Sequence, residues 1–231
     1  MTRANDRETK RIGVRAACVV AAALLTVAAL IGAVVVRASD AALFREGIRR
    51  NVDIATLGVS ESDADGFARD TIAYLRGETD AWSPRVTLNS HAMPIPQAFA
   101  DHMASVKAGF QAARTTAILL AAIGLLLLLA VALRGRGFAA GWCALGALLP
   151  LLLLAVVAVW ACVDFNGFWS WLHVNFIPDG LFSADTEIMA LFPVGLFLDY
   201  GAPVAGLFGC FMAVAAAMAV AARRLARRGR A

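Results

Sequence analysis

Residues Asp164–Asp199 read DFNGFWSWLHVNFIPDGLFSADTEIMALFPVGLFLD and lie between two long apolar runs. The stretch contains no Lys or Arg, yet it carries polar residues that an ordinary membrane span would not: Asp164, Asn166, His173, Asn175, Asp179, Asp185 and Glu187. A segment that combines apolar and polar character is typical of a membrane surface, where one side meets lipid and the other meets water. We therefore expect the working part of the protein in this stretch.

Composition places the rest of the chain in a membrane. Of 231 residues, 60% are hydrophobic, and the mean hydropathy is +0.71. Soluble domains are usually about 45–50% apolar, so the excess predicts burial in lipid. The net charge of +4 gathers at the termini and in one tight turn beside apolar spans. This placement is typical of membrane orientation and argues against a nucleic-acid partner.

Four apolar runs predict four transmembrane helices, at about 13–36, 115–133, 138–163 and 202–222. The first run, of about 22 residues, would reach roughly 33 Å, enough to cross a hydrocarbon core of about 30 Å. A cleaved signal peptide is the alternative, but its apolar core would hold only about 7–15 residues. The predicted fold is an all-α membrane protein that forms one integral membrane domain over residues 1–231.

Two external segments complete the predicted architecture. A helical segment at 37–114 joins spans 1 and 2, and an interfacial loop or helix at 164–201 joins spans 3 and 4. Basic residues number five up to Arg15, two in the 134–137 turn and five in the tail, whereas the 164–190 loop has none. This bias predicts both termini in the cytoplasm and an extracytoplasmic active face.

The first external segment carries two helical patterns. Ser60-Glu-Ser-Asp63 resembles a capping box that begins a helix, and Gly77 is expected to end it. After Pro96, apolar residues recur at helical spacing and run toward the second span: Phe99, Met103, Val106 and Phe110.

All three histidines, His91, His102 and His173, fall in the external segments. Histidine suits proton transfer near neutral pH because its unperturbed pKa is about 6.5. His102 lies shortly before a span and His173 shortly after one, so both are expected at interfacial depth, where they could face each other as a catalytic pair. The alternative is that each is an interfacial aromatic with a satisfied hydrogen bond, and this alternative is favoured for His91.

Other residues leave more than one interpretation open. Asp199 could orient a histidine or cap the last span, and Lys107 could bind a lipid phosphate or snorkel to the interface. The histidines and nearby acids could bind zinc, although no pair has helical ligand spacing. The cysteines fall in or beside apolar runs, as buried hydrophobes do, and only Cys162 is a reactive candidate. The aromatics of the stretch predict an interface belt rather than a substrate box.

A family resemblance adds to this picture. The pattern His173…Phe176-x-Pro178-x-Gly180, followed by Asp185-Thr-x-Ile-Met-x-Leu-Phe-Pro193, resembles a four-span bacterial integral membrane family that includes the lipoprotein intramolecular transacylases. The blocks His102-Met-x-Ser-Val-Lys107 and Tyr74-Leu-Arg-Gly77 are similar to other blocks of the same family. The chain departs from the family pattern at Phe99 and Ser105, where members commonly carry acids.

The resemblance implies a membrane acyltransferase in the bacterial cytoplasmic membrane. Such an enzyme moves an acyl chain from the glycerol 2-position of a diacylglyceryl lipoprotein to the amine of its N-terminal cysteine, without a cofactor. The resemblance carries over the two histidines, His102 and His173, which would share the proton transfers, but not the family's supporting acids. From the residues themselves we assign the support of the rings to Asp101, Asp185 and Asp199, and the binding of a lipid headgroup to Lys107. The alternative is a non-catalytic membrane protein that binds a lipid or protein partner through its external segment.

Overall fold

The computed structural model describes residues 2–88, 91–133, 140–177 and 187–228, and these residues are mainly helical. The α-helices are α1 (Thr2–Ala38), α2 (Ala41–Asn51), α3 (Glu61–Arg76), α4 (Gln97–Leu133), α5 (Ala140–Val163), α6 (Phe165–Phe176), α7 (Val194–Leu198) and α8 (Gly201–Arg228). A 3₁₀ helix covers Glu187–Leu191. The two-residue strands β1 (Thr87–Leu88) and β2 (His91–Ala92) pair antiparallel, with Leu88 opposite His91.

Four helices are long and apolar enough to cross a membrane: Arg11–Ala38 of α1, all of α4, Gly141–Val163 of α5 and Gly201–Ala221 of α8. The prediction of an all-α membrane protein with four transmembrane helices is therefore confirmed. Pro150 lies inside α5, a position that membrane helices tolerate when neighbours or local adjustments satisfy the freed carbonyl.

The chain folds into two compact units, each assembled from segments that are distant in sequence. The span unit comprises residues 1–32, 115–162 and 206–231, and the head unit comprises residues 33–114 and 163–205. That residues 1–231 form one integral membrane domain stays a prediction.

The span unit is packed through small residues. A Cβ on Gly146 of α5 would overlap the carbonyl of Val19 on α1, and one on Gly124 of α4 would lie 3.1 Å from the carbonyl oxygen of Ala21. Cys18 and Ala21 are fully buried, whereas many leucines and valines face outward. Close backbone approach at small residues is how helices associate in lipid, where apolar side chains gain little by leaving their solvent.

The head unit has a core of large side chains. Ile48 from α2, Phe67 and Ile72 from α3, and Leu196 from α7 are fully buried. Trp82 is also buried, and its indole N–H donates a 3.2 Å hydrogen bond to the hydroxyl of Thr71. This core carries the elements that hold the three histidines, since α6, α7, the hairpin and the first turns of α4 all belong to the head unit.

Helix α3 has the boundaries that its sequence predicts. Ser60 is the N-cap, and its hydroxyl accepts a 3.0 Å hydrogen bond from the amide of Asp63. Gly77 ends the helix in the left-handed conformation, with φ of 83°, which glycine adopts without steric cost. The helix after Pro96 is also confirmed, and it continues through the second span as one element, α4.

Other parts of the structure differ from the sequence expectation or lie outside it. Helix α2 was not predicted, and the loop around His91 contains the short hairpin instead. The 134–137 turn and residues Asp179 and Asp185 lie outside the residues that the structure describes.

Candidate functional site

His102 lies in the second turn of α4, on the face that packs into the head unit. Its side chain is buried, with 7% of its surface exposed. Phe99, one turn earlier on the same face, and the adjacent Met103 are also buried. The Phe99 ring meets the imidazole edge to face, with 5.7 Å between the ring centroids. The helical repeat that predicts a core face for α4 therefore brings His102 inward as well.

His173 lies near the end of α6 and is 5% exposed. Asp164 caps the start of this helix, because its carboxylate accepts a 2.9 Å hydrogen bond from the amide of Gly167. One turn before the histidine, the carbonyl of Trp169 lies 2.9 Å from His173 Nδ1. A carbonyl only accepts, so Nδ1 carries the proton in this hydrogen bond, and in the neutral imidazole the Nε2 atom then holds the lone pair.

The structure brings His102 and His173 together although they are distant in sequence. Their ring centroids are 5.8 Å apart and their planes differ by 24°, so the imidazoles are stacked. Such a pair can accept one proton and donate another, as general acid–base catalysis requires.

Aromatic rings enclose the histidine pair. The Trp169 ring packs on His173 at 4.6 Å and on Phe197 of α7 at 4.3 Å. On the other side, Phe99 packs on Trp82 at 5.4 Å and on Phe192 at 5.7 Å. An apolar surround excludes water and strengthens every electrostatic interaction inside it.

Asp199 makes a long-range hydrogen bond within the head unit. Its carboxylate accepts from the side-chain amide of Asn51, at the end of α2, at 2.8 Å. The same amide donates to the carbonyl of Gly47 at 2.9 Å. A Cβ on Gly195 would overlap the Asn51 side chain, so a larger residue at that position of α7 would displace this side chain. This contact ties α7, and with it Phe197, to α2.

The remaining predicted site residues have varied surroundings. Asp101 is exposed, and its carboxylate accepts a 2.9 Å hydrogen bond from Gln97. Lys107 donates to the carbonyl of Thr79 at 2.7 Å, and its ammonium lies 4.4 Å from the ring centroid of Tyr74. His91 is exposed on β2. The orienting roles of Asp101, Asp185 and Asp199 and the headgroup role of Lys107 stay predictions.

Two tyrosines near these residues remain neutral. Burial raises the pKa of Tyr200, which follows Asp199, and the negative charge of Asp40 raises that pKa further. Burial also raises the pKa of Tyr74 beneath Lys107. Both phenols therefore stay protonated at physiological pH, and neither is a base in this region.

Residues 19–194 match the family model described as lipoprotein intramolecular transacylase Lit. The chain belongs to the Lit family. The resemblance seen in the sequence is thereby confirmed, and the His102 and His173 blocks both lie within the matched region. No curated protein matches the sequence.

Solved structures of Lit from Bacillus cereus share the fold of this Lit-family chain. A histidine-to-arginine variant has a TM-score of 0.79 at 11% identity, and the match covers 99% of this chain and 100% of that one. A histidine-to-alanine variant has a TM-score of 0.73 at 12% identity, covering 98% and 99%. A further structure has a TM-score of 0.72 at 12% identity, covering 93% and 98%. These are membrane-integral proteins, and this Lit-family chain is likewise a multi-pass membrane protein.

Sequence analysis of this Lit-family chain missed Asn51 and the role of α7. A usable signal was present, because Asp40 is a good N-cap residue and Phe44 and Ile48 are spaced i, i+4. The carboxylate of Asp40 indeed accepts hydrogen bonds from the amides of Ala42 and Leu43. The partner of Asn51 lies at position 199, and no local pattern indicates so distant a contact.

Proposed function

We propose that this chain is a lipoprotein intramolecular transacylase in which His102 and His173 transfer the protons. The observation that carries this proposal is the buried, stacked pair of imidazoles 5.8 Å apart. Membership of the Lit family supports the reaction class. In two of the similar structures, moreover, the residue that was replaced is a histidine.

In the proposed reaction, the amino group of the N-terminal cysteine attacks the carbonyl carbon of the ester at the glycerol 2-position. A C–N bond forms, the C–O bond to glycerol breaks, and the acyl chain becomes an amide. One proton leaves the attacking nitrogen, and one proton is added to the departing glycerol oxygen. The substrate supplies its own nucleophile, so the enzyme needs a base, an acid and hydrogen-bond donors for the developing oxyanion.

We assign the base to His173. Its Nδ1 proton is held by the carbonyl of Trp169, which leaves the Nε2 lone pair to take the proton from the cysteine amine. His102, whose ring centroid lies 5.8 Å from that of His173, is then the acid that protonates the glycerol oxygen. The aromatic rings around the pair keep water from the ester, which favours transfer to the amine over hydrolysis.

The proposal also includes the side of the membrane on which the histidine pair lies and the contact of Lys107 with lipid. The basic termini favour a cytoplasmic location for both ends, which puts the histidine pair on the extracytoplasmic side, where lipoproteins are displayed. Lys107 has N–H donors beyond the one used by Thr79, and these would bind a lipid phosphate at that surface. Asp101, Asp185 and Asp199 remain candidates for supporting the rings.

The test is conversion of a diacylglyceryl lipopeptide to its lyso form, followed by tandem mass spectrometry, because the acyl transfer leaves the total mass unchanged and only the fragments show an acylated amine. His102→Ala and His173→Ala are each expected to slow conversion by about 10²-fold or more, as loss of a general acid or base does. His91→Ala is the matched control, because it removes a histidine that is exposed on β2. It should convert the lipopeptide at the rate of the unaltered chain.

A further variant separates folding from chemistry. His173→Asn keeps an N–H donor for the Trp169 carbonyl but removes the Nε2 lone pair. It should therefore fold normally and be as inactive as His173→Ala. Normal conversion by His173→Asn would remove His173 as the base. Normal conversion by both alanine variants would reject the histidine roles, whereas no conversion by the unaltered chain would favour a non-catalytic protein that binds a lipid or protein partner through the 37–114 segment.

A further inference from the structure

A cavity in the span unit lies between residues 12–20 of α1 and the first two turns of α5. Its volume is about 450 Å³, within the range of about 300–1,000 Å³ that small-molecule sites occupy. Most of its wall is apolar, formed by residues such as Ile12, Val19 and Leu145, while Arg15 and Trp142 supply its polar groups. We refer to this cavity as the α1/α5 groove.

The groove lies one helical turn from the closest contact between the two helices. Gly146 of α5 meets the backbone of Val19 on α1 so closely that no larger residue fits. Four residues earlier on each helix, the Arg15 guanidinium lies over the Trp142 ring, 5.4 Å from its centroid. The two contacts show that α1 and α5 run parallel here, and the larger Arg15 and Trp142 side chains flank the space left beside the crossing.

Along its span, Arg15 lies near the boundary between the hydrocarbon core and the headgroup layer. The span Arg11–Ala38 has 28 residues and therefore measures about 42 Å, against about 30 Å for a hydrocarbon core. About 6 Å at each end then lies in the headgroup layers, and Arg15 is about 6 Å from the first residue of the span. Trp142 is at the same level, where tryptophan is enriched in membrane proteins.

The contact between Arg15 and Trp142 suits recognition of a phosphate. A guanidinium over an aromatic ring can still present an N–H edge, and this planar fork matches two phosphate oxygens. None of the described side chains that line the groove is acidic. The chain before Arg15 adds positive charge through Arg3, Arg7, Lys10 and Arg11. This combination favours a lipid with net negative charge over a zwitterionic one.

We propose that the α1/α5 groove is a binding site for an anionic phospholipid of the leaflet that faces the basic N-terminus. The Arg15 guanidinium, held on Trp142, binds the phosphate, and one acyl chain lies along Val19 and Leu145. The site involves no residue of the histidine pair, so the test of the site does not depend on the proposed reaction.

The test is native mass spectrometry of the full-length protein in detergent, titrated with phosphatidylglycerol and with phosphatidylcholine of the same acyl chains. Arg15→Ala is expected to lower the phosphatidylglycerol affinity about fivefold, the usual effect of one basic residue at a charged lipid surface. Trp142→Leu should lower it about two- to fivefold through loss of the stacked pair. Arg11→Ala is the matched control, since Arg11 does not line the groove, and should change the affinity by about twofold at most.

Several results would rule out specific binding of an anionic lipid in the α1/α5 groove. Equal losses in Arg15→Ala and Arg11→Ala would show general attraction between charges, and equal affinity for the two lipids would show no preference for negative charge. If Arg15→Ala does not fold, Arg15→Lys replaces it, because lysine keeps the charge but loses the planar fork. Full phosphatidylglycerol affinity in both Arg15→Lys and Trp142→Leu would reject the proposed site.

Discussion

The span unit and the head unit are held together by opposite kinds of side chain. In the span unit, Gly124 and Gly146 let backbones touch, while leucines such as Leu153 keep 67% of their surface exposed. In the head unit, large residues such as Phe67 and Ile72 are fully buried. The difference reflects the solvent, because water drives large apolar groups inward, whereas lipid leaves close packing of small residues as the main attraction.

This comparison explains which unit carries the histidine pair. A core of large aromatic rings can surround two imidazoles and exclude water without placing them in hydrocarbon, where a charged ring is costly. The stacked His102 and His173 rings indeed lie among Phe99, Trp169 and further aromatics of the head unit. Substitutions in each unit test this difference in packing.

The largest effect is expected in the head-unit core. Phe67→Ala removes a ring that contacts Phe44, Trp82 and Phe192, and should lower the free energy of unfolding by about 3–5 kcal/mol. Chemical unfolding in detergent measures this change. Phe176→Ala is the matched control, since that ring is 67% exposed, and should cost less than about 1 kcal/mol. Equal losses would mean that the head unit has no core of the soluble type.

The next effect concerns backbone contact in the span unit. Gly146→Ala places a methyl group against the Val19 carbonyl and should destabilise the protein by about 1–3 kcal/mol. In Gly141→Ala the new methyl group meets nothing within 4 Å, so this variant should be neutral or gain up to about 1 kcal/mol from helix propensity. Thermal unfolding of the two variants in the same detergent compares them directly. A stable Gly146→Ala would show that α1 and α5 do not touch there.

A smaller effect is expected where α2 holds α7. Asn51→Ala removes the hydrogen bond to Asp199 and should cost about 1 kcal/mol, since the pair is half-buried. Conversion of the lipopeptide should also slow, because α7 carries the Phe197 ring that packs on Trp169. Asn175→Ala, whose amide bonds to the Trp171 carbonyl on its own helix, is the control and should leave conversion unchanged. Stability loss with a normal conversion rate would limit Asn51 to a structural role.

The smallest effect is expected at Lys107. Lys107→Met keeps most of the side-chain length but loses the ammonium over Tyr74, and should cost about 0.5–1 kcal/mol at this partly exposed site. Lys107→Arg retains a cation over the ring and should cost less. If Lys107 also binds a lipid phosphate, Lys107→Met will raise the KM for lipopeptide in vesicles as well. An unchanged KM would assign Lys107 to the head unit alone.

The sequence predicts the local features of this fold well, because each rests on near neighbours. Ser60 and Gly77 bound α3 since a hydroxyl cap and a left-handed glycine act within one turn. The spans follow from continuous apolar runs. The sequence predicts contacts between distant residues less well, and it did not predict α2 or the hairpin. Helix α2 is short and has a mixed composition, and its stability comes from Phe44, Gly47 and Ile48 packing into the core.

By itself, the sequence determined the membrane class, the four spans, the caps of α3 and the presence of histidines in the external segments. Each of these depends on composition or on contacts within a few residues. Only the tertiary structure decided that His102 and His173 stack and that Asn51 binds Asp199. These contacts join residues brought together by the packing of whole helices, and that packing depends on many weak interactions at once rather than on any local pattern.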